Sequence, residues 1–125
     1  MKPMKTTAAL AAAWTVLATL ALPAGAQDGP IRFRMAAVAG NPSNCIRYDS
    51  TLSRVHTLTV AGDKATLKSA GGVNETLKQT VPKVYKTTSQ LGGAMLAIVA
   101  DASKSPRTLT ITETNLGCHW TAIAP

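Results

Sequence analysis

The chain has 125 residues, with 13 Lys and Arg against 6 Asp and Glu for a formal charge of +7, and it is 46% hydrophobic but only 4% aromatic. That length has room for one small domain and not for two. So few rings leave little for stacking bases, which argues against nucleic acid as a ligand, whereas the basic balance favours acidic partners.

Lys2 and Lys5 precede an apolar run over residues 8–22, which Pro23 breaks and Ala24-Gly25-Ala26 follows. A basic start, an apolar centre and a small-residue cleavage site make up a secretory signal. The run is shorter than the roughly 20 apolar residues that cross a bilayer, no later segment is long enough to do so, and Gln27 offers no cysteine for a lipid-modified start. Residues 1–26 are therefore expected to be a cleaved signal peptide, and residues 27–125 a single exported domain, soluble and either periplasmic or secreted. Lys2 and Lys5 leave with the leader, so eleven Lys and Arg remain beside six acids. The rings that remain are Phe33, Tyr48, Tyr85 and Trp120.

Beyond the leader, short apolar runs rich in Thr and Val are punctuated by Gly, Pro, Asn and Asp, the marks of strands and turns. Residues 31–38 read as a first strand, with Ile31, Phe33 and Met35 on one face and Arg32 and Arg34 on the other. Gly40-Asn41-Pro42-Ser43-Asn44 is a loop leading to Cys45. Residues 55–60 place His56, Leu58 and Val60 on one face. After a turn at Gly62-Asp63, residues 64–68 return with Ala65 and Leu67 inward and Lys64, Thr66 and Lys68 outward, as a hairpin. Residues 69–72 turn again, residues 73–79 alternate more weakly, and Pro82 is expected to start a short strand ending at Tyr85. The continuous apolar run 94–100, behind Gly92-Gly93, suits a buried helical turn or a central strand, and its shortness favours the strand. Residues 107–114 alternate again, with Leu109 and Ile111 inward, and residues 118–123 close the chain with Cys118, Trp120 and Ala122 on one face.

The expected fold is all-β: a small antiparallel sandwich or barrel of about seven or eight short strands. Cys45 and Cys118 are the only cysteines, and an even count in an exported chain predicts a disulfide between them. It would close a loop of about 73 residues and stabilise the fold by about 4 kcal/mol on a chain-entropy account. Without Cys-x-x-Cys spacing, nothing marks the pair as redox-active.

Few residues offer chemistry. His56 and His119 would need a carboxylate such as Asp49 or Glu113 to hold a metal, and no ligand-type spacing joins them, so neither metal nor cofactor is expected. Ser50 or Ser53 with His56 and Asp49 names a hydrolytic triad, but all four fall on or beside one strand, whereas triad members converge from separate elements. Asp49, Asp63, Glu75, Asp101 and Glu113 are scattered, and nothing pairs two of them for glycoside hydrolysis. Gly71-Gly72 and Gly92-Gly93 lack the Lys of a phosphate loop.

Charge is the more informative feature. Between positions 64 and 86 stand five lysines, Lys64, Lys68, Lys78, Lys83 and Lys86, and a single acid, Glu75. On neighbouring strands they form a basic face for an acidic protein, an anionic envelope polymer or lipid head groups. Lysine also protects sheet edges, which is the plainer account of the same residues. The expectation is a non-enzymatic exported binding domain. The rivals are a small secreted hydrolase with a site assembled from distant residues, and a barrel holding a small apolar ligand.

Overall fold

The computed structural model describes residues 29–125, so the leader expected at 1–26 lies outside the described residues. Two strands separated by Met35 alone, β1 (Ile31–Arg34) and β2 (Ala36–Ala37), open the fold. A 3-10 helix over Ser43–Tyr48 then runs into one α-helical turn, α1 (Asp49–Leu52). Seven strands follow: β3 (Val55–Ala61), β4 (Lys64–Ser69), β5 (Asn74–Val81), β6 (Val84–Leu91), β7 (Ala94–Asp101), β8 (Arg107–Glu113) and β9 (Cys118–Ala124).

These strands make one antiparallel sheet in the order β1-β3-β4-β5-β6-β7-β8-β9-β2. From β3 onward each strand pairs with the next, as tight turns dictate. The opening run supplies both ends of the order: Phe33 of β1 stands opposite His56 of β3, and Ala36 of β2 opposite Thr121 of β9. Met35, buried at the join, donates its N–H to the Arg54 carbonyl at 3.0 Å. The sheet thus nearly closes on itself, and the expected all-β fold takes the barrel form. A sandwich needs two separate sheets, and this sheet has no such break.

Alternation explains what fills the interior. Every second residue faces inward, which buries Phe33, Leu58, Leu67, Leu77, Ile98, Leu109, Ile111 and Trp120. A barrel of about this strand number has an interior that side chains fill. The helical segment lies against one end, where Leu52 is fully buried and Cys45 nearly so. Gly71, in the β4–β5 turn, lies under it: a Cβ there would meet the Thr51 carbonyl oxygen at 2.7 Å. At that same end Cys45 is bonded to Cys118, with Cα atoms 5.8 Å apart, as the cysteine count predicts.

Residues 94–100 lie in a strand, β7, as expected. The expectation for residues 82–85 is corrected. Pro82 sits in the turn, and the strand runs from Val84 to Leu91. Its inward positions after Tyr85 include Thr87 and Ser89, which are only partly buried, so polar residues on both faces hide the strand period. The helical segment at residues 43–52 is likewise new; it is too short to carry a helical hydrophobic period.

Candidate functional site

The register of three strands decides how the lysines are arranged. Lys64 on β4 stands directly opposite Lys78 on β5, and Lys78 directly opposite Lys86 on β6. Their inward neighbours Ala65, Leu77 and Tyr85 are buried, so all three lysines point outward and are exposed. Strands in a sheet are about 4.8 Å apart, so the row spans roughly 10 Å. The other two predicted lysines stand apart from it. Lys68 lies on the same outer face, opposite Asn74, and Lys83 sits in the β5–β6 turn.

Like charges placed directly opposite on a sheet repel, and the acids do not relieve the row. Asp49 accepts the Trp120 indole N–H at 2.9 Å, and Glu75 accepts the Ser89 hydroxyl at 2.5 Å. Asp101 accepts both the N–H and the hydroxyl of Ser103, which holds its carboxyl below the usual carboxylate range. Glu113 is buried and accepts the N–H groups of Asn115 and Leu116 in the β8–β9 turn. Asp63 lies in the β3–β4 turn. Asp49, Asp101 and Glu113 thus serve the helical segment and the turns, and Glu75 bridges β5 to β6, while Lys64, Lys78 and Lys86 occupy the outer wall.

Beside the row the wall has a depression of about 490 Å³ lined in part by Thr76, Lys78, Lys86, Thr88, Ala97 and Val99. It lies where the β5–β6 ladder lapses: no pair is formed on the Asn74 side of Lys78↔Lys86. Lys78 and Lys86 therefore flank a shallow groove with hydroxyls on its sides and aliphatic residues beneath. Sequence reading finds the lysines but not the groove, because a lapse in pairing leaves no mark in either strand alone.

The other candidates are held apart. His56 is fully buried in the barrel; its Nδ1 lies 3.0 Å from the Arg54 carbonyl and so carries the proton. Burial pushes this imidazole below its ordinary pKa, and its Nε2 has no hydrogen-bond partner. His119 is exposed on β9, with Nδ1 3.2 Å from the Thr112 hydroxyl. Asp49 is engaged by Trp120 and His56 by a backbone carbonyl, so the paper triad with Ser50 or Ser53 is not assembled. Among the described residues, no three His, Cys, Asp or Glu side chains converge on a metal-sized position.

Among the described residues no helix is long and apolar enough to cross a membrane. No protein-family model matches the chain, and neither a curated protein nor a solved structure is significantly similar to it.

Proposed function

We propose that this chain is an exported, non-enzymatic binding domain that takes an acidic partner on the lysine row of its outer wall. The observation that carries the reading is the register Lys64↔Lys78↔Lys86. Three like charges side by side cost folding stability, and functional sites are where real proteins break local rules of this kind. The groove beside the row offers a partner hydroxyls and aliphatic contact as well as charge. An extended segment of an acidic protein suits this geometry best, since its alternate carboxylates recur about every 6.7 Å, and flexible lysine side chains spaced about 4.8 Å apart at the backbone can splay to meet them. An anionic envelope polymer is the second source of the same charges. The Cys45–Cys118 bond is compatible with an oxidising compartment and so with export through the leader at residues 1–26.

The test is binding of polyglutamate to the mature protein. Affinity should fall as salt rises from 0.05 to about 0.3 M, because exposed charges are screened over about 8–10 Å at 0.1–0.15 M. Lys64→Glu combined with Lys78→Glu and Lys86→Glu should abolish it, while Lys68→Glu, opposite a neutral Asn74, should cost far less. A triple variant that binds as its parent does would refute the reading.

A further inference from the structure

The end of the barrel away from the helical segment is open, and it holds a cavity of about 460 Å³. Sites for small molecules are typically about 300–1,000 Å³ with a few converging polar groups. Ile31, Val60 and Tyr85 give this cavity its apolar wall; Gln79, Lys83 and Arg107 line it with polar groups. Arg107 is 24 positions from Lys83 in sequence, and the pairing of β6 and β8 to either side of β7 places both at one end of the sheet.

Both cations are held by the backbone around them. Lys83 has φ of 64°, the left-handed conformation that the third residue of a Pro-initiated type II turn requires and that normally selects Gly. The two-residue turn at the other end of β6, Gly92-Gly93, takes positive φ with glycines, at 55° and 89°. Placing Lys at such a position strains the backbone and brings an ammonium to the rim. The turn is fixed from two sides: the Lys83 N–H donates to Gln79 Oε1 at 3.2 Å, and the Lys83 carbonyl accepts the Ala102 N–H at 2.8 Å. Arg107 is half-buried and donates an Nη–H to the main-chain oxygen of Pro125, which orients a guanidinium that has further N–H groups to offer. No Asp or Glu lines the cavity among the described residues, and the nearby Asp101 carboxylate is turned to Ser103.

We infer that this mouth is a second binding site, separate from the lysine row, for a small amphipathic anion. A carboxylate or phosphate head would lie between Lys83 and Arg107, and a short aliphatic body against Ile31, Val60 and Tyr85. The cavity is of small-molecule size, so the ligand class differs from that of the outer wall. The two cations select charge, and the apolar wall selects a chain attached to it.

The probes are octanoate, octyl phosphate and octanol, titrated into the isotopically labelled mature protein and followed by amide chemical shifts. Both anions should perturb Val60, Lys83, Tyr85 and Arg107 and bind at least tenfold more tightly than octanol. Octyl phosphate binding above octanoate would favour a phosphate head, and the reverse a carboxylate. Lys83→Gly should weaken both anions about tenfold while leaving thermal stability equal or higher, because Gly accepts the backbone angle. Arg107→Gln should act in the same direction. Polyglutamate binding by the lysine row should be unaffected by Lys83→Gly, so failure of one site is distinguishable from failure of the other. Equal binding of octanoate and octanol, shifts centred on Lys78, or unchanged affinity in Lys83→Gly would overturn the inference.

Discussion

Trp120 donates its indole N–H to the Asp49 carboxylate at 2.9 Å, across 71 residues of chain, and so ties the last strand to the helical turn that covers one end of the barrel. Tyr48 meets the same indole edge-on, with ring centroids 6.4 Å apart. Removing the acceptor strands a buried donor, which costs about 1–3 kcal/mol. Asp49→Ala should lower stability to urea by that amount, and Asp49→Asn, which keeps an acceptor oxygen, by less. Trp120 is the single tryptophan among residues 27–125, so in a protein of those residues its fluorescence reports on this contact directly.

The Cys45–Cys118 disulfide joins the same strand to the 3-10 helix that runs into that turn. Replacing both cysteines by Ala should destabilise the protein by about 2–5 kcal/mol. Combined with Asp49→Ala, the loss should fall short of the sum of the two, because each change frees the same helical segment from β9. Denaturant midpoints of the three variants measure the coupling, and strict additivity would show that the two ties act independently.

Lys78 is the middle of the row, so its reversal changes two cross-strand pairs at once. Lys78→Glu should raise stability by about 1 kcal/mol, since each pair of like charges becomes one of opposite charges. The gain should shrink with added salt. Polyglutamate binding should weaken in the same variant. Opposite signs for folding and binding are what a site maintained against local stability gives, and a row that serves solubility alone would show only the first effect.

His56 predicts a pH dependence of stability. Its folded-state pKa is lowered by burial, so the unfolded chain binds the proton more readily. Stability is then full above the unfolded value of about 6.5 and is lost as pH falls below it. The residues opposite His56, Phe33 and Ser69, do not titrate there. Denaturant midpoints should fall between pH 7 and pH 5, and His56→Phe should flatten that slope. A parent whose midpoint is constant over this range would contradict the assignment.

Much of the barrel is legible along the chain. Residues 31–35, 55–60, 64–68 and 118–122 alternate because one face meets the interior and the other water, and that period is written into each strand locally. The cysteine count fixes the disulfide in the same direct way, since two thiols have only one way to pair. The strand Val84–Leu91 was not legible beyond its start, because its inward Thr87 and Ser89 remain partly exposed where the β5–β6 ladder lapses. Relations between strands lay further out of reach. Whether Lys78 faces a lysine or a threonine depends on register, and a shift of one residue on β5 would turn it to the other face of the wall. Arg107 and Lys83 share a cavity because β6 and β8 flank β7, with Val84 opposite Asp101 and Asp101 opposite Thr108. Turn lengths and closure set those relations over the whole chain, so the lysines themselves could be read from the sequence, while the row, the groove and the mouth belong to the tertiary structure.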